Sequence, residues 1–235
     1  CSNPAASVAP DGSLWLVTAD ERGLSARQRS REGAWSPSEP IVEDAPRMIR
    51  GFDLAIDDRG SLFGVWAPWY GKEAPASLRL RVRETAGWQP AETISLPGAS
   101  SARNPRARWL GGDLGIFAAV KEGTTAGEPL RLFVRKETGR LENRKFDVNG
   151  ADLASSPSGE PLLFVQHSFH PAATAELQQL GVVGTTRKGE IAVLDSLVAP
   201  EGGYRGLGPA LDATGQPLVL AGWNGHALLL KRADP

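Results

Sequence analysis

Five times along the chain a small Gly turn is followed by a run of apolar residues. The phrases are Asp11-Gly12-Ser13-Leu14-Trp15-Leu16-Val17, Arg59-Gly60-Ser61-Leu62-Phe63-Gly64-Val65, Gly111-Gly112-Asp113-Leu114-Gly115-Ile116-Phe117, Ser158-Gly159-Glu160-Pro161-Leu162-Leu163-Phe164 and Thr214-Gly215-Gln216-Pro217-Leu218-Val219-Leu220. The turn Gly falls at 12, 60, 112, 159 and 215, giving spacings of 48, 52, 47 and 56 residues. A period of that size, carrying short strands and turn residues, belongs to a radial array of small sheets.

Each repeat reads as four strands. Upstream of the turn lies a strand of small and mixed residues: Ala5–Ala9, Phe52–Ile56, Arg106–Leu110, Ala151–Ser155 and Gly208–Leu211. Downstream comes the apolar strand, such as Leu14–Thr18 or Leu62–Trp66, rich in β-branched and aromatic residues and without helix caps. A third strand alternates basic and apolar residues at Leu24–Arg29, Leu78–Arg83 and Leu130–Arg135, which predicts one packed face and one face of arginines turned to water. A turn then leads to the fourth strand, where Gly33-Ala34-Trp35 through Ile41 almost superimposes on Ala86-Gly87-Trp88 through Ile94. The equivalence of Trp35 and Trp88 predicts rings packed between adjacent sheets. The fourth repeat departs most, with Pro171–Leu180 inserted and a helical turn expected over Ala175–Leu180.

The predicted fold class is therefore all-β: a five-bladed β-propeller with four-stranded antiparallel blades. Residues 1–4 are expected to be a tether and 5–235 a single domain, with repeats at about 5–46, 47–101, 102–148, 149–203 and 204–235. The last repeat carries only three strands, ending with Ala227–Lys231. Its blade is expected either to be incomplete or to close by packing alone, leaving an edge to manage.

The turn and strand at Asp57-Asp58-Arg59-Gly60-Ser61-Leu62-Phe63 resemble a degenerate Asp-box of the sialidase-like (BNR-repeat) propellers. Asp58, Gly60 and Phe63 fit that motif, whereas Ile56 replaces its hydroxyl residue and Leu62 its Thr. The Gly-x-Trp phrases at Trp35 and Trp88 are also similar to the repeats of tectonin-like propeller lectins. Both resemblances imply the fold more strongly than any activity.

Charge is balanced, with 26 Lys+Arg against 27 Asp+Glu and a formal net charge of −1. That balance gives no general attraction to nucleic acid, and no nucleic-acid partner is expected. No apolar run approaches the roughly 20 residues of a spanning helix. The single cysteine, Cys1, excludes disulfides within the chain and Cys-rich metal sites. The start Cys1-Ser2-Asn3-Pro4 resembles a mature bacterial lipoprotein, whose acceptor Cys is residue one once the signal peptide is removed. That resemblance implies lipidation of Cys1, a location in the bacterial cell envelope at the outer membrane or facing the periplasm, and membrane contact through the anchor alone.

Inner strands of a propeller converge, so polar residues at their starts are the candidate site. Arg50, Arg103, Arg106 and Arg205, with Tyr204 beside the last, would offer bidentate donors to a carboxylate or other oxyanion. The resemblance to sialidases implies the same use of clustered arginines, with a Tyr as nucleophile. Pairing across a narrow channel is the structural alternative. Asp53 and Asp152 stand at corresponding places and are weak catalytic candidates, since glycosidases need two carboxylates at a set gap. His167 and His170 are weak metal candidates, because zinc usually takes three or four ligands. Neither metal nor cofactor is expected. Trp69 and Tyr70, at a strand-to-loop junction, suit stacking on a sugar or a partner side chain. The expected function is non-enzymatic binding or scaffolding, with a glycan or protein ligand at the axial mouth. The alternative is a sialidase-like or five-bladed glycoside hydrolase.

Overall fold

The computed structural model describes residues 4–20, 23–42, 48–71, 74–110, 112–123, 130–136, 138–146, 151–155, 161–169, 177–185, 191–198, 205–211, 217–223 and 226–231, and every element among them is a β-strand. The chain divides into two compact units, Cys1–Arg144 and Lys145–Pro235.

In the first unit, sheet one runs β1 (Ala5–Val8), β2 (Leu14–Asp20), β3 (Gly23–Arg29), β4 (Glu39–Pro40). Sheet two runs β5 (Met48–Ile56), β6 (Leu62–Trp69), β7 (Ser77–Glu84), β8 (Gly87–Trp88), with β9 (Glu92–Ser95) also paired to β7. Its outer edge is thus two short pieces where the repeat predicts one strand. Sheet three runs β10 (Ala99–Leu110), β11 (Asp113–Glu122), β12 (Leu130–Arg135), β13 (Leu141–Phe146), and it begins at Ala99, ahead of the boundary expected at 102. Successive strands pair antiparallel, as with β1–β2, β5–β6 and β10–β11.

In the second unit, β14 (Ala151–Ser155), β15 (Pro161–Phe169), β16 (Leu177–Thr185) and β17 (Ile191–Val198) form a four-stranded sheet. A sheet of three strands follows: β18 (Arg205–Leu211), β19 (Pro217–Trp223) and β20 (His226–Lys231). The helical turn expected over Ala175–Leu180 is not what forms, because Leu177–Leu180 lie in β16 paired to β15. Residues 175 and 176 lie outside the described residues.

The Gly turns close the same way in sheets one and two. Gly12 N–H donates to Ala9 O (2.9 Å) and Gly60 N–H to Asp57 O (3.2 Å), with φ of 82° and 85° that only Gly adopts freely. A carboxylate then caps the Ser that follows, from a different position in each turn. Asp11 Oδ1 accepts from Ser13 N–H (2.9 Å), whereas Asp57 Oδ1 accepts from Arg59 N–H (3.0 Å) and Ser61 N–H (2.6 Å). The Asp of the degenerate Asp-box that does this is Asp57, while Asp58 beside it is exposed. The Ser13 side chain, and then its N–H, hold the Asp11 carboxyl below its ordinary value.

The core of the first unit is two apolar layers, one on each face of sheet two. β6 is buried from Leu62 to Pro68, and its alternation sorts the residues. Leu62 and Trp66 enter the layer shared with Trp15, Val17, Leu24, Ala26 and Ile41 of the first sheet and its edge. Phe63, Val65 and Ala67 enter the layer shared with Leu114, Ile116, Ala118 and Phe133 of sheet three. Phe63 stacks on Trp109 with centroids 5.3 Å apart. A central strand flanked by two layers reads as continuously apolar for this reason.

Two expectations about side chains need correction. The third-strand arginines are not simply a solvated stripe. Arg81 is buried at 8% exposure, donating from Nε to Gln89 O (2.6 Å) and from Nη1 to Ile41 O (2.8 Å). Arg83 makes a bidentate pair with Glu39 (2.7 and 3.0 Å), and Arg135 pairs with Glu92 (3.0 Å). Arg83 and Arg135 occupy the same register, opposite Leu62 and Leu114 respectively, so one inter-sheet link recurs between consecutive sheets. The equivalence of Trp35 and Trp88 also fails at the level of packing. Trp88 packs against the layer between sheets one and two, while Trp35 is 47% exposed.

Candidate functional site

β5 and β10, the first strands of sheets two and three, lie side by side and each is interrupted near its start. The pairing of β5 with β6 shifts between Ile49 and Phe52, and that of β10 with β11 shifts between Arg103 and Arg106. A bulge leaves residues unpaired and re-aims their side chains. Here the residues at or beside the bulges are Arg50, Arg103 and Arg106, and all three line one open cavity of about 490 Å³ with Ile49, Gly51, Phe52 and Asn104. Gly51 (φ 116°) and Asn104 (φ 50°) both take the left-handed region, and Asn104 is the one non-Gly residue with positive φ among the described residues.

The cavity is strongly cationic. Three arginines line it, and no carboxylate stands among the described residues that line it. Arg103 and Asn104 are exposed, Arg50 and Arg106 half-buried, and the floor is the buried Phe52. Trp69, at the end of β6, lies under the Arg50 guanidinium at 5.0 Å from ring centroid to Cζ. That contact stabilises the cation and limits its rotamers. One face of the Trp69 ring is thereby occupied. Tyr70 follows it, half-buried.

Arg205 heads β18 in the second unit, where the pairing with β19 shifts between Arg205 and Gly208. The same irregularity therefore recurs beside an arginine in three first strands. Tyr204 lies outside the described residues, as do His170 and Cys1. His167 is inside β15, opposite Gln179, and not in a loop beyond it. Among the described residues no group of three or more His, Cys, Asp or Glu side chains is placed to hold a metal ion.

Asp53 sits apart from this cavity's lining. It is 7% exposed, and its Oδ2 accepts from Ala107 N–H (2.9 Å) and from Arg108 Nη1 (2.9 Å), tying β5 to β10. Asp152 has the same register, since Asp53 faces Val65 and Asp152 faces Phe164, each seven residues before its turn Gly (53 to 60, 152 to 159). What the sequence reading passed over is Gly51 and the bulge at Asn104. The signal was present: Gly51 inside a strand pattern and Asn104-Pro105 within the next both mark bulges.

No protein-family model matches the sequence, and no curated protein is significantly similar to it. Solved structures do share its fold. An α-L-arabinanase of Penicillium chrysogenum, solved with arabinobiose, superposes with TM-score 0.65 at 12% identity, over 97% of this chain and 77% of that one. A Hadza microbial sialidase gives 0.62 at 13% identity, over 94% of this chain and 52% of its own, so this chain spans about half that enzyme's length. An exo-1,5-α-L-arabinanase from a bovine ruminal metagenomic library gives 0.52 at 13% identity, over 97% and 91%. What is shared is the fold alone, an all-β, propeller-like arrangement of antiparallel sheets.

Proposed function

We propose that the chain is a non-enzymatic binding module, a five-bladed propeller whose five sheets are its blades, and that it recognises an anionic group of a glycan or protein ligand at the Arg50–Arg103–Arg106 cavity. The observation that carries this reading is that three arginines from two neighbouring strands line one open cavity with no lining carboxylate among the described residues. Guanidinium groups present planar paired donors that match a carboxylate, and a site whose charged groups are all donors is suited to holding an oxyanion rather than to acid–base work. The five repeats and the likeness over 97% of the chain to propeller-type folds support the architecture.

The test is titration of the full chain with acidic and neutral oligosaccharides, followed by Arg50→Ala, Arg103→Ala and Arg106→Ala. Each loses charge-assisted hydrogen bonds, so affinity for the acidic ligand is expected to fall roughly ten- to hundredfold, with melting temperature little changed. Equal binding of neutral and acidic ligands by the unmodified protein would remove the basis of the reading.

The alternative is a sialidase-like or five-bladed glycoside hydrolase, the class to which the arabinanase and sialidase of like fold belong. It requires two carboxylates at a set gap. Asp53, the candidate within the first unit, has its Oδ2 committed to Ala107 N–H and Arg108. Turnover of chromogenic arabinosides or sialosides, abolished by Asp152→Asn, would establish that alternative against ours.

We further propose the lipoprotein reading of Cys1 and a cell-envelope location. Mass spectrometry of the native protein is expected to find a lipidated Cys1, and an unmodified terminal Cys1 would refute it.

A further inference from the structure

We infer that Asn104 is a specificity-determining residue of the arginine cavity, held in place by Gly51, and that it selects a carboxylate carried on a hydroxylated ring over a bare inorganic anion. The inference rests on the proposed oxyanion site and goes beyond it by assigning a second recognition group.

The contact between the two strands at this point leaves no room for a side chain on β5. A Cβ placed on Gly51 would lie 2.9 Å from Asn104 Cα, 3.0 Å from Asn104 N and 3.2 Å from Pro105 Cδ. Those distances are to backbone and a fixed ring, so nothing flexible yields. Gly51 also has φ of 116°, which a side chain disfavours in its own right. The bulge of β5 is therefore seated against the bulge of β10, and this seating sets the gap between Arg50 and the Arg103–Arg106 pair.

Asn104 is the residue whose backbone meets Gly51 at this seating. It occupies the left-handed region at φ 50°, where Gly would sit without strain, and its exposed side chain lines the cavity between Arg103 and Arg106. Asn tolerates this region better than most residues, so the conformation by itself is ordinary turn chemistry. The amide adds something the arginines lack. A guanidinium only donates, whereas the Asn104 amide both donates and accepts. It is the only hydrogen-bond-accepting side chain among the described residues lining the cavity. Sulfate at neutral pH has nothing to donate to its Oδ1. A sugar carboxylate with a neighbouring ring hydroxyl does, and can engage the arginines and the amide at once.

The experiment is calorimetric titration of the full chain with digalacturonate and, separately, with sodium sulfate, for the unmodified protein and for Asn104→Gly and Gly51→Ala. Asn104→Gly keeps the backbone conformation and removes only the amide. It is expected to leave the melting temperature unchanged or raised, to weaken digalacturonate roughly three- to tenfold and to leave sulfate affinity as it was. Gly51→Ala should lower the melting temperature and weaken both ligands, because it disturbs the arginine spacing. Asn104→Gly binding digalacturonate as tightly as the unmodified chain would overturn the role of Asn104 while leaving the arginine site standing. An unmodified protein that binds digalacturonate no better than sulfate would do the same. Failure to bind either probe would overturn the site and this inference together.

Discussion

Asp53→Ala is expected to lower the melting temperature of the protein by roughly 4–10 °C, the largest loss from any polar substitution in the first unit. The carboxylate is 7% exposed, and its Oδ2 takes two donors from the neighbouring sheet. Removing it orphans the Ala107 N–H in a buried place, which costs about 1–3 kcal/mol. The Arg108 pair adds less, because that guanidinium is 36% exposed and can return to water. At roughly 2–4 °C per kcal/mol in a chain of this size, a loss of about 2–2.5 kcal/mol corresponds to roughly 4–10 °C. Arg108→Ala should therefore cost less than half as much. Thermal denaturation followed by circular dichroism separates these outcomes. An Asp53→Ala protein that melts with the unmodified chain would show that the inter-sheet bonds contribute nothing net.

Trp66→Ala should do more damage still. Trp66 is fully buried in the layer between sheets one and two, among Trp15, Ile41, Leu54 and Leu62. Truncating a buried Trp to Ala typically costs about 3–5 kcal/mol, from lost apolar contact and the cavity left behind. Its Nε1 is buried without an acceptor, so the ring stabilises by packing and not by a hydrogen bond. Trp66→Phe should accordingly retain most of the stability, within about 1.5 kcal/mol for a well-tolerated apolar exchange. Trp35→Ala, at a 47% exposed position, should fall within about 0.5 kcal/mol of the unmodified chain. Denaturant unfolding of the three variants provides the comparison. A Trp35→Ala loss as large as that of Trp66→Ala would restore the equivalence that the repeats suggest.

The strands were readable in the sequence because a period of two is a local property. The alternation of Leu78, Leu80 and the intervening arginines marks β7, and Leu130–Arg135 matches β12 residue for residue. What those arginines face is not local. Arg81 reaches carbonyls of residues 40 positions earlier, and Arg83 reaches Glu39, so a stripe that reads as solvated becomes a seam once another sheet is laid on it. Asp53 shows the same limit, since its partners lie 54 and 55 positions away. The arginines of the cavity were found because they sit at strand starts. Gly51 and the bulge at Asn104 were passed over because their importance comes from one strand's backbone meeting another's, which no single repeat encodes. The helical turn expected at 175–180 lost to β pairing, where Gln178, Gln179 and Leu180 align with Ser168, His167 and Gln166.

The recurring link of Arg83 to Glu39 and Arg135 to Glu92 has a direction. The cation always comes from the third strand of the later sheet and the anion from the outer edge of the earlier one. Such a contact is head-to-tail, so its two sides are different surfaces. The link is not carried on by the fourth sheet, whose third strand, β16, has no Arg or Lys. Where it does recur, the pair cannot tell one sheet from another, or its own chain from a second copy. Order along the array must be written in the apolar layers instead, where Trp66 beside Ile41 and Phe63 on Trp109 make each interface different from the other.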